Sequence, residues 1–375
     1  MTGLGGEPSE DRAALAERLR VQAMHCNANG SPLYEELLLR AAADVDAGGP
    51  VWRLFEGREA APADSDPLGM MGAVHRLALE DRAPALRRWL PSVAIARGEQ
   101  PVPIDVDAAW EAFLDVVDSM RDSVAALLDH PIQTNEVGRS AALVGGFLEV
   151  ARLGLPLRLA EVGASAGLNL RWDRFRYEHA GAGWGDPDSP VRFAAPFTDD
   201  AGVPPLDVEA AVVERIGCDR APVDPTTEDG RLTLMSYVWA DQVERFARLR
   251  GALEIAREVP APIEQADAFD WLEGTLPNRR AGTAMVVFHS ILTLYFTREE
   301  RDRLASMLAE AGSTATADAP VAWLRFEHPD TGDAVATGWS RIGRPEVRLT
   351  VWPGGDDRLL AVAVAHGPPV RWLST

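Results

Sequence analysis

The chain has 375 residues, 46% of them hydrophobic and 25% charged, which is typical of a globular protein long enough to form two domains. Its formal net charge of −20 argues against nucleic acid as a partner, because affinity for nucleic acid depends on neutralising phosphates. All 37 basic residues are arginines, and the absence of lysine excludes pyridoxal-phosphate enzymes, P-loop nucleotide-binding proteins and protein kinases, since each class needs a lysine.

Residues 1–152 are predicted to form a helical domain that serves as a cap or substrate domain. Ser31 precedes a proline and suits the N-cap position of a helix. Over residues 107–129 apolar side chains recur at three- and four-residue spacings, which predicts one long helix. A further helix is expected soon after, with Thr134 or Asn135 as its N-cap.

Residues 153–375 are predicted to form an α/β domain, because apolar runs alternate there with helical patterns. The expected parallel strands lie in LRLAEV, AAVVERIGCD, PIEQADAFDWL, AMVVFHSIL and PVAWLRFEH. EVRLTVW and RLLAVAVAH, joined by PGGDD, predict an antiparallel hairpin. Residues from about 174 to 205 separate the first two strands and are expected to be an inserted hairpin.

The first predicted strand ends in Glu161 and leads into a turn that contains Gly163, Ser165 and Gly167. Gly163 suits the positive φ of a sharp turn, and Gly167 lets the next helix pack close to the strand. The helix start would then offer free N–H groups to a ligand. The spacing differs from the GxGxxG pattern of dinucleotide-binding proteins. The segment is therefore either a cofactor-binding turn or a simple connection between strand and helix.

Acidic residues also follow the next two predicted strands. Asp219 ends the second strand, with Asp224 as a competing candidate, and Asp267 follows the third strand beside Ala268 and Phe269. Asp219 could instead be an exposed turn residue, and Asp267 could cap a short helix. Since the carboxyl ends of parallel strands share one edge, where open α/β sheets bind ligands, three successive acids favour the cofactor-binding interpretation.

The fourth predicted strand ends in His289 and Ser290, which are candidate catalytic residues. A histidine there could be the general base for a hydroxyl or amine nucleophile, since its ordinary pKa of about 6.5 suits that task. It could equally brace the end of the strand. Tyr295 follows closely as a candidate substrate contact.

Further candidate substrate contacts lie elsewhere in the chain. Gln133, Asn135, Glu136 and Arg139 form a polar cluster that could bind a small polar molecule or could supply helix caps and surface ion pairs. Trp239, in YVWADQ, could flank the cofactor or pack over the start of the next helix.

Other sequence features bear on location and metals. No run reaches the roughly 18 apolar residues of a membrane helix, and the N-terminal segment is acidic and polar, so we expect a cytoplasmic protein without membrane contact. Cys26 and Cys218 lack CxxC spacing, and the seven histidines lack HxxxH spacing, so we expect no metal site.

The predicted order of elements over residues 157–375 resembles that of class I S-adenosylmethionine-dependent methyltransferases. The resemblance implies a Rossmann-like sheet that binds S-adenosyl-L-methionine and releases S-adenosyl-L-homocysteine. It implies that Glu161 binds the amino group of the cofactor, Asp219 the ribose hydroxyls and Asp267 the adenine amino group. Ser165 stands where that family has a glycine, and the (D/N)PP(Y/F) motif of many nitrogen methyltransferases is missing after the fourth strand.

The whole chain also resembles bacterial domain-of-unknown-function family 2332, on SPLYEELL, QTNEVGR, AEVGASAGLNL, GCDRAPVDPT, YVWADQ, FHSI and WPGGDDRLLAVAVAHG. This resemblance implies a fold and no substrate. The resemblance to methyltransferases, together with the three acids, predicts a methyltransferase that acts on a small polar molecule by in-line displacement. A non-catalytic metabolite-binding protein and another sulfonium-using transferase are the alternatives, and the oligomeric state stays open.

Overall fold

The computed structural model describes residues 10–58, 65–329 and 343–373. The chain is a mixed α/β protein and divides into two compact units. The first unit comprises residues 1–134 and 227–247, and the second comprises residues 135–226 and 248–375. A domain boundary was predicted at residue 152, whereas the boundary between the two units falls earlier, at residue 134, and residues 227–247 belong to the first unit.

The helices of the described residues are, in chain order, α1 (Glu10–Ala28), α2 (Pro32–Asp46), α3 (Pro50–Phe55), α4 (Ser65–Leu79), α5 (Pro84–Arg87), α6 (Pro91–Ala96), α7 (Val106–Ser119), α8 (Arg121–Leu128), α9 (Arg139–Ala151), α10 (Glu228–Ser236), α11 (Val243–Glu258), α12 (Ala268–Thr275) and α13 (Arg298–Ser313). None of these helices combines the length and apolar character that a membrane span needs. The single helix predicted over residues 107–129 is wrong, because the backbone at Met120 leaves the helical region and separates α7 from α8.

The first unit is an N-terminal helical region whose core includes Leu19, Leu37, Val74 and Phe113. Ser31 occupies the N-cap position of α2, as predicted, but its hydroxyl donates to Asp241. His75 is buried in this unit, with Nε2 2.7 Å from Ser92 Oγ and Nδ1 2.9 Å from the carbonyl oxygen of Ser236. Burial lowers the pKa of His75 to about 4, so its ring is neutral at pH 7.

The second unit is built on a large central sheet. The strands within the described residues are β1 (Leu157–Val162), β2 (Arg176–His179), β3 (Ala182–Trp184), β4 (Arg192–Ala194), β5 (Val212–Asp219), β6 (Ile263–Gln265), β7 (Ala284–Ser290), β8 (Val321–Glu327), β9 (Glu346–Trp352), β10 (Asp357–Val364) and β11 (Gly367–Trp372). The central sheet has eight strands in the order β11-β10-β9-β8-β7-β1-β5-β6. Strands β8, β7, β1, β5 and β6 are parallel, while β9, β10 and β11 are antiparallel.

Most predicted strands are confirmed. The five parallel strands occur where the apolar runs are, and β9 and β10 form the predicted antiparallel hairpin. Strand β11 was not predicted, because GPPVRW contains two prolines and resembles a loop. The insertion after β1 contains a β2–β3 hairpin with β4 beside it.

The order of the parallel strands determines where a ligand site can form. From β1 the chain adds β5 and then β6 on one side, and it returns to add β7 and β8 on the other side. The strand order therefore reverses between β1 and β7. Because ligands of open α/β sheets bind at the carboxyl ends of strands beside such a reversal, a ligand site is expected at the turns after β1 and β7.

Helix α9 packs against this sheet through two glycines. A Cβ atom on Gly145 would lie 2.3 Å from the Trp372 ring, and one on Gly146 would lie 2.3 Å from Leu324 Cδ1. Because these positions are filled by side chains of β11 and β8, α9 belongs to the second unit.

We expect Gly146→Ala to lower the free energy of unfolding by about 1–3 kcal/mol, because the added methyl group overpacks the contact between α9 and β8. Gly274, in α12, is the matched control, since a Cβ atom there meets nothing within 4 Å. Gly274→Ala should raise stability by about 0.5–1 kcal/mol through helix propensity. Urea-induced unfolding measures both, and equal effects of the two substitutions would contradict the packing assigned to α9.

Candidate functional site

The turn after β1 has left-handed backbone at three positions. Gly163 has φ 69°, Ser165 has φ 53° and Gly167 has φ 65°. The positive φ predicted for Gly163 is confirmed. Ser165 adopts the conformation that a glycine would favour, which costs a residue with a side chain about 1–3 kcal/mol. Such strain persists only where surrounding contacts hold the backbone in place.

Asp219 holds this turn from the end of the neighbouring strand. The Ser165 N–H donates to Asp219 Oδ2 at 2.8 Å, and the Ala221 N–H donates to Asp219 Oδ1 at 2.9 Å. The side chain is half-buried at the carboxyl end of β5. Since an ionised carboxylate has about four acceptor positions, Asp219 can still accept further hydrogen bonds.

Asn135 contacts the end of the same turn. Its Oδ1 accepts the Leu168 N–H at 2.8 Å, at the start of a short 3₁₀ helix. The prediction that Thr134 or Asn135 caps the next helix is therefore wrong, because α9 begins at Arg139 with Gly138 at its N-cap position. Asn135 satisfies a different helix start, one that is distant in sequence.

A buried arginine, which the sequence analysis missed, also binds the turn. Arg171 is 2% exposed and donates to the carbonyl oxygen of Gly167 at 2.7 Å and to that of Val259 at 2.8 Å. Its place in LNLRWD, directly after the glycines, could have identified it, since a charged residue within an apolar segment needs a polar partner when buried.

Glu161 lies beneath the turn and is 2% exposed. Its Oε2 atom has no hydrogen-bond partner among the described residues. Burial raises the pKa of Glu161 well above its ordinary value of 4.5; the positive charges of Arg139 and Arg171 offset part of that effect, and the negative charge of Asp219 adds to it. A buried carboxyl oxygen without a partner is rare in proteins and calls for an explanation.

His289 lies at the end of β7, is fully buried and has both ring nitrogens in hydrogen bonds. The indole N–H of Trp323 can only donate, and it lies 3.0 Å from His289 Nε2, so Nε2 accepts and the proton is on Nδ1. The Nδ1–H donates to Glu327 Oε1 at 2.6 Å. No ring nitrogen is left to accept a proton from a substrate, so this is the geometry of a brace at the strand end.

Glu327, at the end of β8, was also missed, although it ends an apolar strand just as Glu161 does. Burial alone would raise the pKa of Glu327, but the hydrogen bond from His289, the charge His289 carries when protonated and the hydrogen bonds from Leu292 and Thr293 outweigh it and lower the pKa. These bonds include the Leu292 N–H at 2.9 Å from Oε1 and the Thr293 hydroxyl at 2.9 Å from Oε2. Glu327 therefore fixes the turn after β7.

The turns after β1 and β7 touch each other. A Cβ atom on Gly163 would lie 2.6 Å from Leu292 Cδ1, so only glycine leaves room for this side chain. Arg139 adds a further tie, because its Nη1 donates to the carbonyl oxygen of Ser290 at 3.0 Å. Ser290 is thus partly buried at the meeting point of the two turns.

Asp267 lies at the same sheet edge, after β6. It is the N-cap of α12, accepts the Phe269 N–H at 2.9 Å and lies 3.3 Å from the Arg220 guanidinium. The Phe269 ring is buried against Phe296, with ring centroids 5.5 Å apart, while Ala268 is half-buried. Asp267 is therefore a helix cap, one of the two interpretations left open, and still has 37% of its side chain exposed for a ligand.

The remaining candidates differ in exposure and in the unit to which they belong. Tyr295 follows β7 and is 77% exposed. Glu136 accepts the N–H of Gly138, and Asp224 is an exposed turn residue that accepts the N–H of Thr226. Gln133 and Trp239 belong to the first unit, where Trp239 is buried against Tyr34 with ring centroids 6.3 Å apart.

The described residues contain no group of three His, Cys, Asp or Glu side chains that could hold a metal ion. Cys26 and Cys218 are both buried free thiols. What the second unit does bring to one edge is a set of acids, Glu161, Asp219 and Asp267, beside two turns with left-handed backbone. Chemically, this edge can accept hydrogen bonds from a ligand and can stabilise a positive charge.

We expect Gly163→Ala to destabilise the protein more than Gly154→Ala does, by about 1–3 kcal/mol. Both glycines have positive φ, 69° and 74°, but a Cβ atom on Gly154 meets nothing within 4 Å. The difference therefore measures the clash with Leu292. Chemical denaturation of the double variant Gly163→Ala/Leu292→Ala should recover most of it, and no recovery would disprove the contact between the turns.

Glu161→Gln should change how stability depends on pH. Below pH 4.5 the carboxyl is protonated in both the folded and unfolded chain and contributes nothing. Above that pH the unfolded chain ionises while the folded chain keeps the proton, so stability falls by up to about 1.4 kcal/mol per pH unit until the folded carboxyl ionises. Glu161→Gln removes this loss, so in thermal unfolding its advantage over the wild type should grow from pH 4.5 upward. If the pH profiles of the wild type and Glu161→Gln ran parallel, the pKa of Glu161 would not be raised.

Comparison with known proteins was made against families, curated proteins and solved structures. No curated protein and no solved structure matches the chain. The model of the family described as "Uncharacterized protein conserved in bacteria (DUF2332)" matches residues 16–372. Because that match spans nearly the whole chain, the protein belongs to the bacterial family DUF2332.

Proposed function

We propose that the second unit binds S-adenosyl-L-methionine at the carboxyl ends of β1, β5, β6 and β7, and that the protein transfers its methyl group to a small polar molecule. Numbered in chain order, the parallel strands of the central sheet are arranged 3-2-1-4-5. That order is the one found in doubly wound nucleotide-binding sheets, including Rossmann-like ones. The proposal thus extends the shared strand order to a shared ligand site.

The buried carboxyl of Glu161 is the observation that carries the proposal. Its Oε2 atom lacks a partner among the described residues, and the residue lies at the strand reversal where a ligand is expected. An ammonium group would donate to this oxygen and would favour the ionised carboxylate, which burial alone disfavours. Glu161 therefore fits the amino group of the methionine part.

The turn after β1 offers few donors to a phosphate group. Four of the five N–H groups from Ala164 to Leu168 donate to protein acceptors, namely the carbonyl oxygens of Cys218 and Ala164 and the side chains of Asp219 and Asn135. Dinucleotide-binding folds present such N–H groups to a pyrophosphate. The site therefore favours an adenosyl ligand without phosphate groups.

The other acids fit the remaining polar groups of the cofactor. Asp219 keeps acceptor positions for ribose hydroxyls, and the exposed part of the Asp267 carboxylate can accept from an adenine amino group. When bound, the cofactor supplies a methyl group activated by its sulfonium. The chain would then hold the acceptor in line with that methyl group and exclude water. Methyl transfer to an acceptor that is already nucleophilic requires no general base on the protein.

A second candidate is a non-catalytic protein that binds the same ligand. It is favoured by His289, whose two ring nitrogens are both engaged. The other polar side chains near the end of β7 are Ser290, Thr293 and Tyr295, and the Thr293 hydroxyl already donates to Glu327. Such a protein would bind S-adenosyl-L-methionine without turnover. Mass spectrometry after incubation with a panel of hydroxyl and amine acceptors distinguishes the two candidates, since only a transferase yields a product about 14 mass units, or one methylene group, heavier than the acceptor.

Isothermal titration of the full chain with S-adenosyl-L-homocysteine and S-adenosyl-L-methionine should detect binding. Glu161→Gln should weaken it about 10- to 100-fold, the loss expected for a hydrogen bond to a charged group. Asp186→Asn is the matched control, because Asp186 is an exposed residue of the insertion after β1 that accepts the Asp188 N–H, and the affinity of this variant should equal that of the wild type. Absence of binding by the wild type at millimolar ligand, or equal binding by Glu161→Gln, would refute the proposed site.

A further inference from the structure

The turn after β7 is held in a conformation that its own sequence disfavours. Ile291 has φ 52°, a left-handed backbone that is a genuine outlier for a β-branched residue. The following residue, Leu292, is the one whose side chain lies against Gly163. Something other than local preference must therefore keep this turn against the turn after β1.

The Glu327 carboxylate is what keeps it there. Its two oxygens accept the backbone N–H groups of Leu292 and Thr293, at 2.9 Å and 3.2 Å, and the Thr293 hydroxyl at 2.9 Å. Glu327 is 7% exposed and belongs to β8, so a rigid strand carries the anchor. Bonds from N–H groups to a buried carboxylate are among the stronger hydrogen bonds in proteins.

His289 orients the Glu327 carboxylate. Its Nδ1–H donates to Glu327 Oε1, and the Trp323 indole N–H fixes the tautomer by donating to Nε2. His289 and Trp323 lie on neighbouring strands, β7 and β8, so the sheet itself holds the ring in place. The ring therefore restricts which way the carboxylate faces.

We propose that Glu327 and His289 form a positioning pair that fixes the turn over residues 291–295 against the turn after β1, and so shapes the ligand site. The proposal rests on the proposed function, since it assigns these residues to the same adenosyl site. Neither residue is a catalytic residue, because both act through Leu292 and Thr293. It gives the buried histidine a role that keeps both of its ring nitrogens in hydrogen bonds.

The test combines hydrogen exchange of backbone amides with titration of S-adenosyl-L-homocysteine, on the full chain. In Glu327→Gln only the amide oxygen can accept, so it cannot serve all four donors; the Leu292 and Thr293 amides should exchange at least about tenfold faster, and affinity should fall about tenfold. His289→Asn keeps an N–H donor near Nδ1 and should retain most of the affinity, whereas His289→Phe should not.

His75→Asn is the matched control, because His75 is also a buried histidine with both nitrogens engaged but belongs to the first unit. It should lower the melting temperature without changing exchange at Leu292 and Thr293. If Glu327→Gln fails to fold, Thr293→Val removes only the hydroxyl donor and should still speed exchange of the Leu292 amide severalfold.

Each outcome decides one question. Wild-type affinity in Glu327→Gln, or unchanged exchange in Thr293→Val, would overturn the positioning role. Loss of affinity in His75→Asn equal to that in Glu327→Gln would overturn it as well, since the effect would then follow stability alone. Failure of the wild type to bind S-adenosyl-L-homocysteine would refute the proposed function, while the exchange rates would still show whether Glu327 holds the turn.

Discussion

At the reversal of the central sheet, each of the two turns is held by a carboxylate from the end of the neighbouring strand. Asp219, at the end of β5, accepts the Ser165 N–H in the turn after β1. Glu327, at the end of β8, accepts the Leu292 and Thr293 N–H groups in the turn after β7. Both turns contain a non-glycine residue with left-handed backbone, Ser165 and Ile291, and the carboxylates offset the conformational cost of about 1–3 kcal/mol at each.

Two of the five non-glycine residues with positive φ among the described residues lie in these adjoining turns. Strained backbone in proteins clusters at functional sites, because the surrounding structure must be rigid enough to impose it. Here the rigid parts are β5 and β8, which flank the reversal, and α9, whose Arg139 binds the carbonyl oxygen of Ser290. The buried Glu161 carboxyl lies on β1, just before the first of these turns. Its unpartnered oxygen distinguishes it from Asp219 and Glu327, whose oxygens each accept a backbone N–H.

Membership of DUF2332 and the mixed α/β architecture were both predicted from the sequence and are confirmed. The parallel strands could be located from the sequence because each is a continuous apolar run, which a strand covered on both faces requires. The inserted hairpin could be located because it interrupts the alternation of strand and helix. The break at Met120 could not be located because the apolar spacing continues across it, and strand β11 could not be located because its two prolines are typical of a loop.

The candidate site divides in the same way. The sequence by itself determined the glycine turn and the three acids at successive strand ends, because the carboxyl ends of parallel strands must share an edge. Only the tertiary structure decided what each side chain does there. In the fold both ring nitrogens of His289 are in hydrogen bonds, and Asn135 accepts from Leu168 instead of capping α9. Arg171 and Glu327, which were not predicted, also bind the turns. A polar side chain's role depends on which donors and acceptors reach it across the fold, and that is information no local pattern of residues contains.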